Sequence, residues 1–170
     1  MTNHYENRLY STNLEKISIN NSLYFTKSYN FNKKVVYKAF TQAKYLQKWF
    51  GTLQSKVTMC EIDLQVGGKL TLELESIQGK RTFIGEYLEI LENEKLIFSL
   101  NGIDKGQIFV ESLNTILFNE PEPGKTNLSV NVEVNKINKE VGGSAIEGIK
   151  NGWSEGLEKL VEVLLEINSN

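Results

Sequence analysis

Glu86 is the residue of this 170-residue chain that is best placed for acid–base chemistry. It follows Gly85 in a strand-like segment with apolar residues in both phases, so its carboxylate could point inward. An inward, desolvated carboxylate has a raised pKa and can serve as a catalytic acid or as a polar anchor for a ligand. The alternative is an outward charge beside a bulge or close backbone approach at Gly85.

Other catalytic and metal chemistry is not favoured by the sequence. Cys60 alternates in phase with Ile62 and has no histidine nearby, so it is interpreted as a core cysteine. His4 is the only histidine and lies in a polar tail without a catalytic or metal-binding partner. Because no His or Cys cluster is present, we expect no metal ion and no cofactor. The glycine pairs 67–68 and 142–143 lack the context of a phosphate-binding loop.

Aromatic side chains give the stronger functional signal. Six of them come from well-separated segments, and they either fill a core or line an apolar cavity for a small hydrophobic or aromatic molecule. The predicted lining residues are Trp49, Phe50, Leu72, Leu74, Phe83, Tyr87, Phe98, Gly152, Trp153, Gly156 and Leu157.

The segment 141–170 must position several of these residues. Its apolar residues recur at spacings of three and four, which predicts a helix over 145–167, roughly 35 Å long. Ser144 and Glu147 are spaced as a capping box at its start. The predicted apolar stripe consists of Ile146, Ile149, Trp153, Leu157, Leu160, Val161, Leu164 and Leu165.

Three glycines form a ridge beside this stripe. Gly148, Gly152 and Gly156 recur every fourth residue, and each costs ~1 kcal/mol relative to alanine inside a helix. Two interpretations stay open. The ridge either allows close approach of the helix to a sheet, or leaves a gap for a ligand.

The preceding sequence alternates with the period of β-strands. Strands are predicted at 22–29, 56–66, 69–76, 81–91, 95–100, 108–118 and 126–134, with a polar loop over 101–107. Two short helices, which Asn32 and Thr41 can cap, follow the first strand. Hairpin-linked strands form an antiparallel sheet with one face to cover, and only the C-terminal helix is long enough to cover it. We therefore predict an α+β fold, a curved antiparallel sheet of about seven strands around that helix, with a polar extension at 1–20 and a single domain at 21–168.

The composition limits which binding partners and which cellular location are expected. The net charge of −2 and the lack of a basic block disfavour nucleic acid. A single cysteine fits a reducing compartment. The sequence contains no run of about eighteen apolar residues, so membrane insertion is not expected. We expect a cytoplasmic protein.

Several short motifs together resemble a known family. The final helix carries Gly-Trp-Ser-Glu-Gly-Leu, similar to the family's GWeegL segment. The chain resembles the START-like or SRPBCC superfamily, in its branch of homologues of the heat-shock-protein ATPase activator (AHSA-type). It departs from the family in having Trp49–Phe50 where two tryptophans are usual. The matching segments are 39–51, 63–70, 85–90 with 94–98, 124–128 and 152–157.

This resemblance implies a fold and two kinds of function. The implied fold is the helix-grip, in which a curved antiparallel sheet grips a long C-terminal helix. Many relatives have a hydrophobic cavity for a small ligand such as a lipid, and the eukaryotic activator's domain contacts a chaperone in the stress response. The resemblance carries over no catalytic residue.

Three functional hypotheses follow. The leading one is non-enzymatic binding of a small hydrophobic or aromatic ligand in a cavity between the sheet and the C-terminal helix. A co-chaperone-like protein-interaction module would instead use the outer sheet surface. A cyclase-type enzyme would need Glu86 buried and facing the cavity.

Overall fold

A computed structural model describes residues 17–138, 140 and 144–170, and side chains from residue 21 onward. The tail containing His4 and the glycine pair at 142–143 lie outside these described residues. The polar extension predicted for 1–20 is therefore described only from Ile17, where the first strand already begins.

The described chain forms a seven-stranded antiparallel sheet with the strand order β1-β7-β6-β5-β4-β3-β2. Consecutive strands from β2 to β7 pair as hairpins, and β1 pairs with β7, so β1 and β2 are the open edges. The strands are β1 Ile17–Tyr29, β2 Ser55–Ile62, β3 Lys69–Ser76, β4 Gly79–Leu91, β5 Lys95–Asp104, β6 Gln107–Glu122 and β7 Lys125–Ile137.

Two short helices follow β1, and one long helix ends the chain. They are α1 (Lys33–Thr41), α2 (Ala43–Trp49) and α3 (Ala145–Ser169). Asn32 caps α1 as predicted, because its Oδ1 accepts a hydrogen bond from the Val35 amide at 3.1 Å. The predicted helix-grip architecture is confirmed.

The core lies between the inner face of the sheet and α3. Alternation along β7 buries Leu128, Val130, Val132 and Val134 as predicted. The stripe on α3 differs near its end, since Leu165 is 52% exposed while Val163 and Ile167 are buried. The predicted capping box is also absent, because the Ser144 side chain makes no capping hydrogen bond.

The end predicted for the second strand was wrong. The strand predicted to reach Val66 ends at Ile62, and Leu64 and Val66 are exposed in a turn. The turn forms because Gly67 and Gly68 exchange backbone hydrogen bonds with Tyr87 on β4.

The predicted loop over 101–107 is mostly strand. β5 continues to Asp104 and β6 begins at Gln107, which leaves only Lys105 and Gly106 as the turn. Both turn residues have positive φ, 51° and 75°, as a tight two-residue hairpin requires.

Gly85 marks a close approach of β4 to β5. A Cβ at this position would lie 1.9 Å from the Ser99 carbonyl oxygen. No side chain fits there without moving the β5 backbone, which explains a glycine in the middle of a long strand.

Gly85→Ala is expected to lower the free energy of unfolding by about 1–3 kcal/mol or more, because it overpacks backbone against backbone. Gly148→Ala is the control, since a Cβ there would meet no atom within 4 Å. The control should raise stability by ~1 kcal/mol through helix propensity. Urea unfolding of both variants measures the difference, and equal stability of Gly85→Ala and wild type would contradict the close approach.

Candidate ligand-binding site

A cavity of about 360 Å³ lies between the inner face of the sheet and the N-terminal half of α3. It is partly open to solvent, and the exposed β3–β4 turn at Ile77 contributes to its rim. The loop that follows α2 closes another side. Strands β3 to β7 supply the sheet wall, with Leu74, Phe83, Leu100, Phe109, Val110 and Val132 as its apolar members.

The three glycines of the α3 ridge differ in how closely other atoms approach them. Gly148 and Gly152 line the cavity, and a Cβ at either position would meet no atom within 4 Å. A Cβ at Gly156 would lie 3.0 Å from the Trp49 carbonyl oxygen and 3.5 Å from that of Gly51. Close approach therefore accounts for Gly156, while Gly148 and Gly152 border open space.

Polar contacts fasten the loop after α2 to this part of α3. The Leu53 amide donates to Glu155 Oε2 at 2.7 Å, and Lys159 Nζ donates to the Thr52 carbonyl at 3.1 Å. Burial lowers the pKa of Lys159. The loop wall is thus fixed by α3 itself, from both sides of Gly156.

Trp153 separates the cavity from the closely packed half of the helix. It is only 6% exposed, and its ring centroid lies 6.1 Å from Phe50, 6.2 Å from Trp49 and 6.5 Å from Phe40. Trp49 is held in turn by a hydrogen bond from Nε1 to the Ala39 carbonyl at 3.0 Å. These rings form a rigid aromatic end wall.

Two buried polar residues interrupt the apolar sheet wall. Ser112 and Asn114 lie on the inner face of β6 and line the cavity. Ser112 Oγ donates to the Leu100 carbonyl at 2.8 Å, and Asn114 Nδ2 donates to Ser112 Oγ at 3.2 Å and to the Phe98 carbonyl at 3.4 Å. These bonds do not use Asn114 Oδ1, which keeps capacity to accept a hydrogen bond.

Arg81 is the charged member of the sheet wall. Its Nε lies 3.6 Å from Asp104 Oδ2, and its Cζ lies 4.9 Å from the ring centroid of Phe109. Its side chain is 39% exposed, so the guanidinium meets both the cavity wall and solvent.

The structure brings together about half of the predicted lining residues. Those that line the cavity are Trp49, Phe50, Leu74, Phe83, Gly152 and Trp153. Those that do not are Leu72, Tyr87, Phe98, Gly156 and Leu157.

The second group is packed into the core. Tyr87 and Phe98 border a separate void of about 10 Å³, which is about the volume needed for one water. Leu72 is fully buried, and the Leu157 carbonyl accepts a hydrogen bond from Tyr29 Oη at 2.8 Å. These five residues lie outside the cavity wall, because alternation assigns a residue to a face but not to one end of it.

Glu86 does not face the cavity. Its side chain is 42% exposed and pairs with Lys69 Nζ at 3.0 Å. The inward polar anchor considered for Glu86 is therefore corrected to an outward ion pair. Cys60 is half-buried, and burial with the nearby Glu61 raises the pKa of its thiol to about 11, so it is a protonated core residue near neutral pH.

Three lining residues, Arg81, Ser112 and Asn114, were not predicted from the sequence. A signal for all three was present, because each lies in phase with a buried residue of its strand. Arg81 is in phase with Tyr87 on β4, and Ser112 and Asn114 are in phase with Ile116 on β6. A polar residue in the buried phase of a strand indicates either a structural network or a ligand contact.

The fold and the cavity together define a START-like protein of the SRPBCC superfamily. A family model for Activator of Hsp90 ATPase homolog 1-like protein matches residues 30–165, and the chain belongs to this family. A search of curated protein sequences gives no match.

Solved structures with the same fold include several bacterial proteins. An uncharacterized protein from Rhizobium leguminosarum superposes with a TM-score of 0.77 at 19% identity, covering 89% of this chain and 99% of that one. A protein from Nitrosomonas europaea gives 0.71 at 19% identity, with 88% and 97% covered. A protein from Chromobacterium violaceum gives 0.70 at 24% identity, with 85% and 96% covered. At these identities the similarity shows the fold alone.

None of the helices in the described part of the chain is long and apolar enough to cross a membrane. Within residues 17–138, 140 and 144–170, no group of three potential metal ligands is found.

Leucine substitutions at two glycines of α3 are expected to have opposite effects on stability. Gly152→Leu should leave the free energy of unfolding unchanged or raise it, because the side chain enters open space and helix propensity improves. Gly156→Leu should lower it by about 1–3 kcal/mol or more, because it collides with the backbone at Trp49 and Gly51. Thermal and urea unfolding of the two variants provide the measurement, and a destabilised Gly152→Leu would show that no space exists there.

Proposed function

We propose that this protein binds a small hydrophobic or aromatic molecule, without catalysis, in the cavity beneath the N-terminal half of α3. The observation that supports this most directly is the open space beside Gly152, which is half-buried and lines the cavity. This glycine costs ~1 kcal/mol of helix stability that no packing contact offsets. A volume of about 360 Å³ falls in the usual range for small-molecule sites.

The wall chemistry supports an apolar or aromatic ligand. Phe50, Phe83, Phe109 and Trp153 offer ring faces and edges, and aliphatic side chains of β5 to β7 complete the surface. The Ser112–Asn114 pair supplies the few polar groups that orient a ligand in such a site, with Asn114 Oδ1 as an acceptor.

The two alternatives have weaker support. A cyclase-type mechanism using Glu86 lacks the inward carboxylate that it requires, since that side chain is paired outside the cavity. The co-chaperone-like alternative has family membership in its favour. However, exposed apolar residues on the outer face are separated by polar neighbours, with Tyr24 opposite Asn131 and Leu117 opposite Ser129. A cytoplasmic location stays a prediction from composition.

Binding of neutral probes tests this proposal. Isothermal titration with 2-naphthalenemethanol, 1-decanol and indole-3-ethanol should detect one site for at least one of them. Gly152→Leu should weaken that binding by about tenfold or more, because its side chain occupies the cavity, whereas Gly152→Ala should retain most of the affinity.

Circular dichroism of each variant must show an intact fold for the comparison to hold. Failure of all three probes to bind wild type would contradict the proposal, as would unchanged binding by a folded Gly152→Leu variant. Capture of a chaperone by protein that binds none of the probes would favour the interaction module instead.

A further inference from the structure

Arg81 is the only cationic side chain among the described residues that line the cavity. On β4 it is in phase with Phe83, Gly85 and Tyr87, so it belongs to the inner face of the sheet. Its side chain is 39% exposed, so the stem lies on the inner face while the guanidinium keeps contact with solvent at the mouth of the cavity.

Its internal partner engages it weakly. The Nε to Asp104 Oδ2 distance of 3.6 Å is too long for a hydrogen bond, so the pair is only electrostatic. The guanidinium instead lies against the buried ring of Phe109, a favourable cation–π contact. The closest approach to Asp104 uses Nε, which leaves the two terminal Nη groups for another acceptor.

The surroundings favour an anionic acceptor with an apolar body. A guanidinium presents a planar fork of donors that matches the two oxygens of a carboxylate. Phe109, Phe83 and Leu74 lie beside Arg81 in the wall and are apolar. The one acidic residue in the described lining, Glu147, is exposed on the first turn of α3, where water and salt screen its charge.

We infer that the ligand is an organic monocarboxylate whose carboxylate pairs with Arg81 and whose hydrophobic or aromatic body fills the cavity under Gly152. This inference rests on the proposed function and adds the chemical class of the ligand. Arg81 is then the residue that determines specificity for an acid over the corresponding neutral compound.

A matched pair of probes tests this inference. Naphthalene-2-carboxylate and 2-naphthalenemethanol share one skeleton and differ in charge. Wild type should bind the acid about tenfold or more tightly than the alcohol, which corresponds to one charged hydrogen-bonded pair. Arg81→Gln should abolish that preference, so that the acid loses about tenfold or more affinity relative to the alcohol, and added salt should weaken the binding of the acid but not that of the alcohol.

Asp104→Asn provides a second variant that keeps the guanidinium. It removes the carboxylate that competes for Arg81, so binding of the acid should strengthen while binding of the alcohol stays unchanged. If Arg81→Gln does not fold, Asp104→Asn is the variant that tests the inference. Unchanged or weaker binding of the acid by Asp104→Asn overturns the inference.

The outcomes distinguish the inference from the proposed function. Equal affinity of wild type for acid and alcohol, or an acid preference that survives in Arg81→Gln, overturns the carboxylate anchor and leaves the ligand-binding function standing. Absence of binding by both naphthalene probes to wild type overturns the inference, and it contradicts the proposed function as well only if 1-decanol and indole-3-ethanol also fail to bind.

Discussion

The close approach of α3 to the end of α2 determines the rest of this structure. At Gly156 the helix lies so near the backbone of Trp49 and Gly51 that a Cβ would sit 3.0 Å from a carbonyl oxygen. Hydrogen bonds from Leu53 to Glu155 and from Lys159 to Thr52 hold the following loop against the same turn of helix. Because a long helix is stiff, fixing it here also fixes where its N-terminal half lies above the sheet.

The cavity follows from that constraint. On the C-terminal side of Gly156 the helix buries Leu157, Leu160 and Leu164 against the sheet and the two short helices. On the N-terminal side Trp153 closes the aromatic wall, and Gly152 and Gly148 carry no side chain that could fill the remaining space. Gly156 is thus explained by packing, Gly152 keeps a volume open at a cost to helix stability, and Gly148 is exposed at the edge of that volume. Such an uncompensated cost is expected at functional sites rather than in a core.

The sequence predicted the fold well and the site only in part. Alternation gave the sheet and its inner face, since the period of two is local. Strand ends were less predictable, because Leu64 and Val66 continue the alternation while the Gly67–Gly68 turn pairs with Tyr87 on a distant strand. Tyr87 and Trp153 both lie on inner faces, yet only Trp153 lines the cavity. Which end of a face stays unfilled depends on the position of α3, and local patterns do not contain that information. The same alternation could have identified three more lining residues, because they are polar residues at inward-facing positions of their strands: Arg81, Ser112 and Asn114.

The most direct test of an open cavity is a crystal structure of the protein under xenon pressure, because xenon occupies apolar space without requiring a specific ligand. The geometry predicts a xenon atom between Gly152 on the helix and Leu100 and Val132 on the sheet. An empty map at this position, with the N-terminal half of α3 packed directly on the sheet, would contradict it.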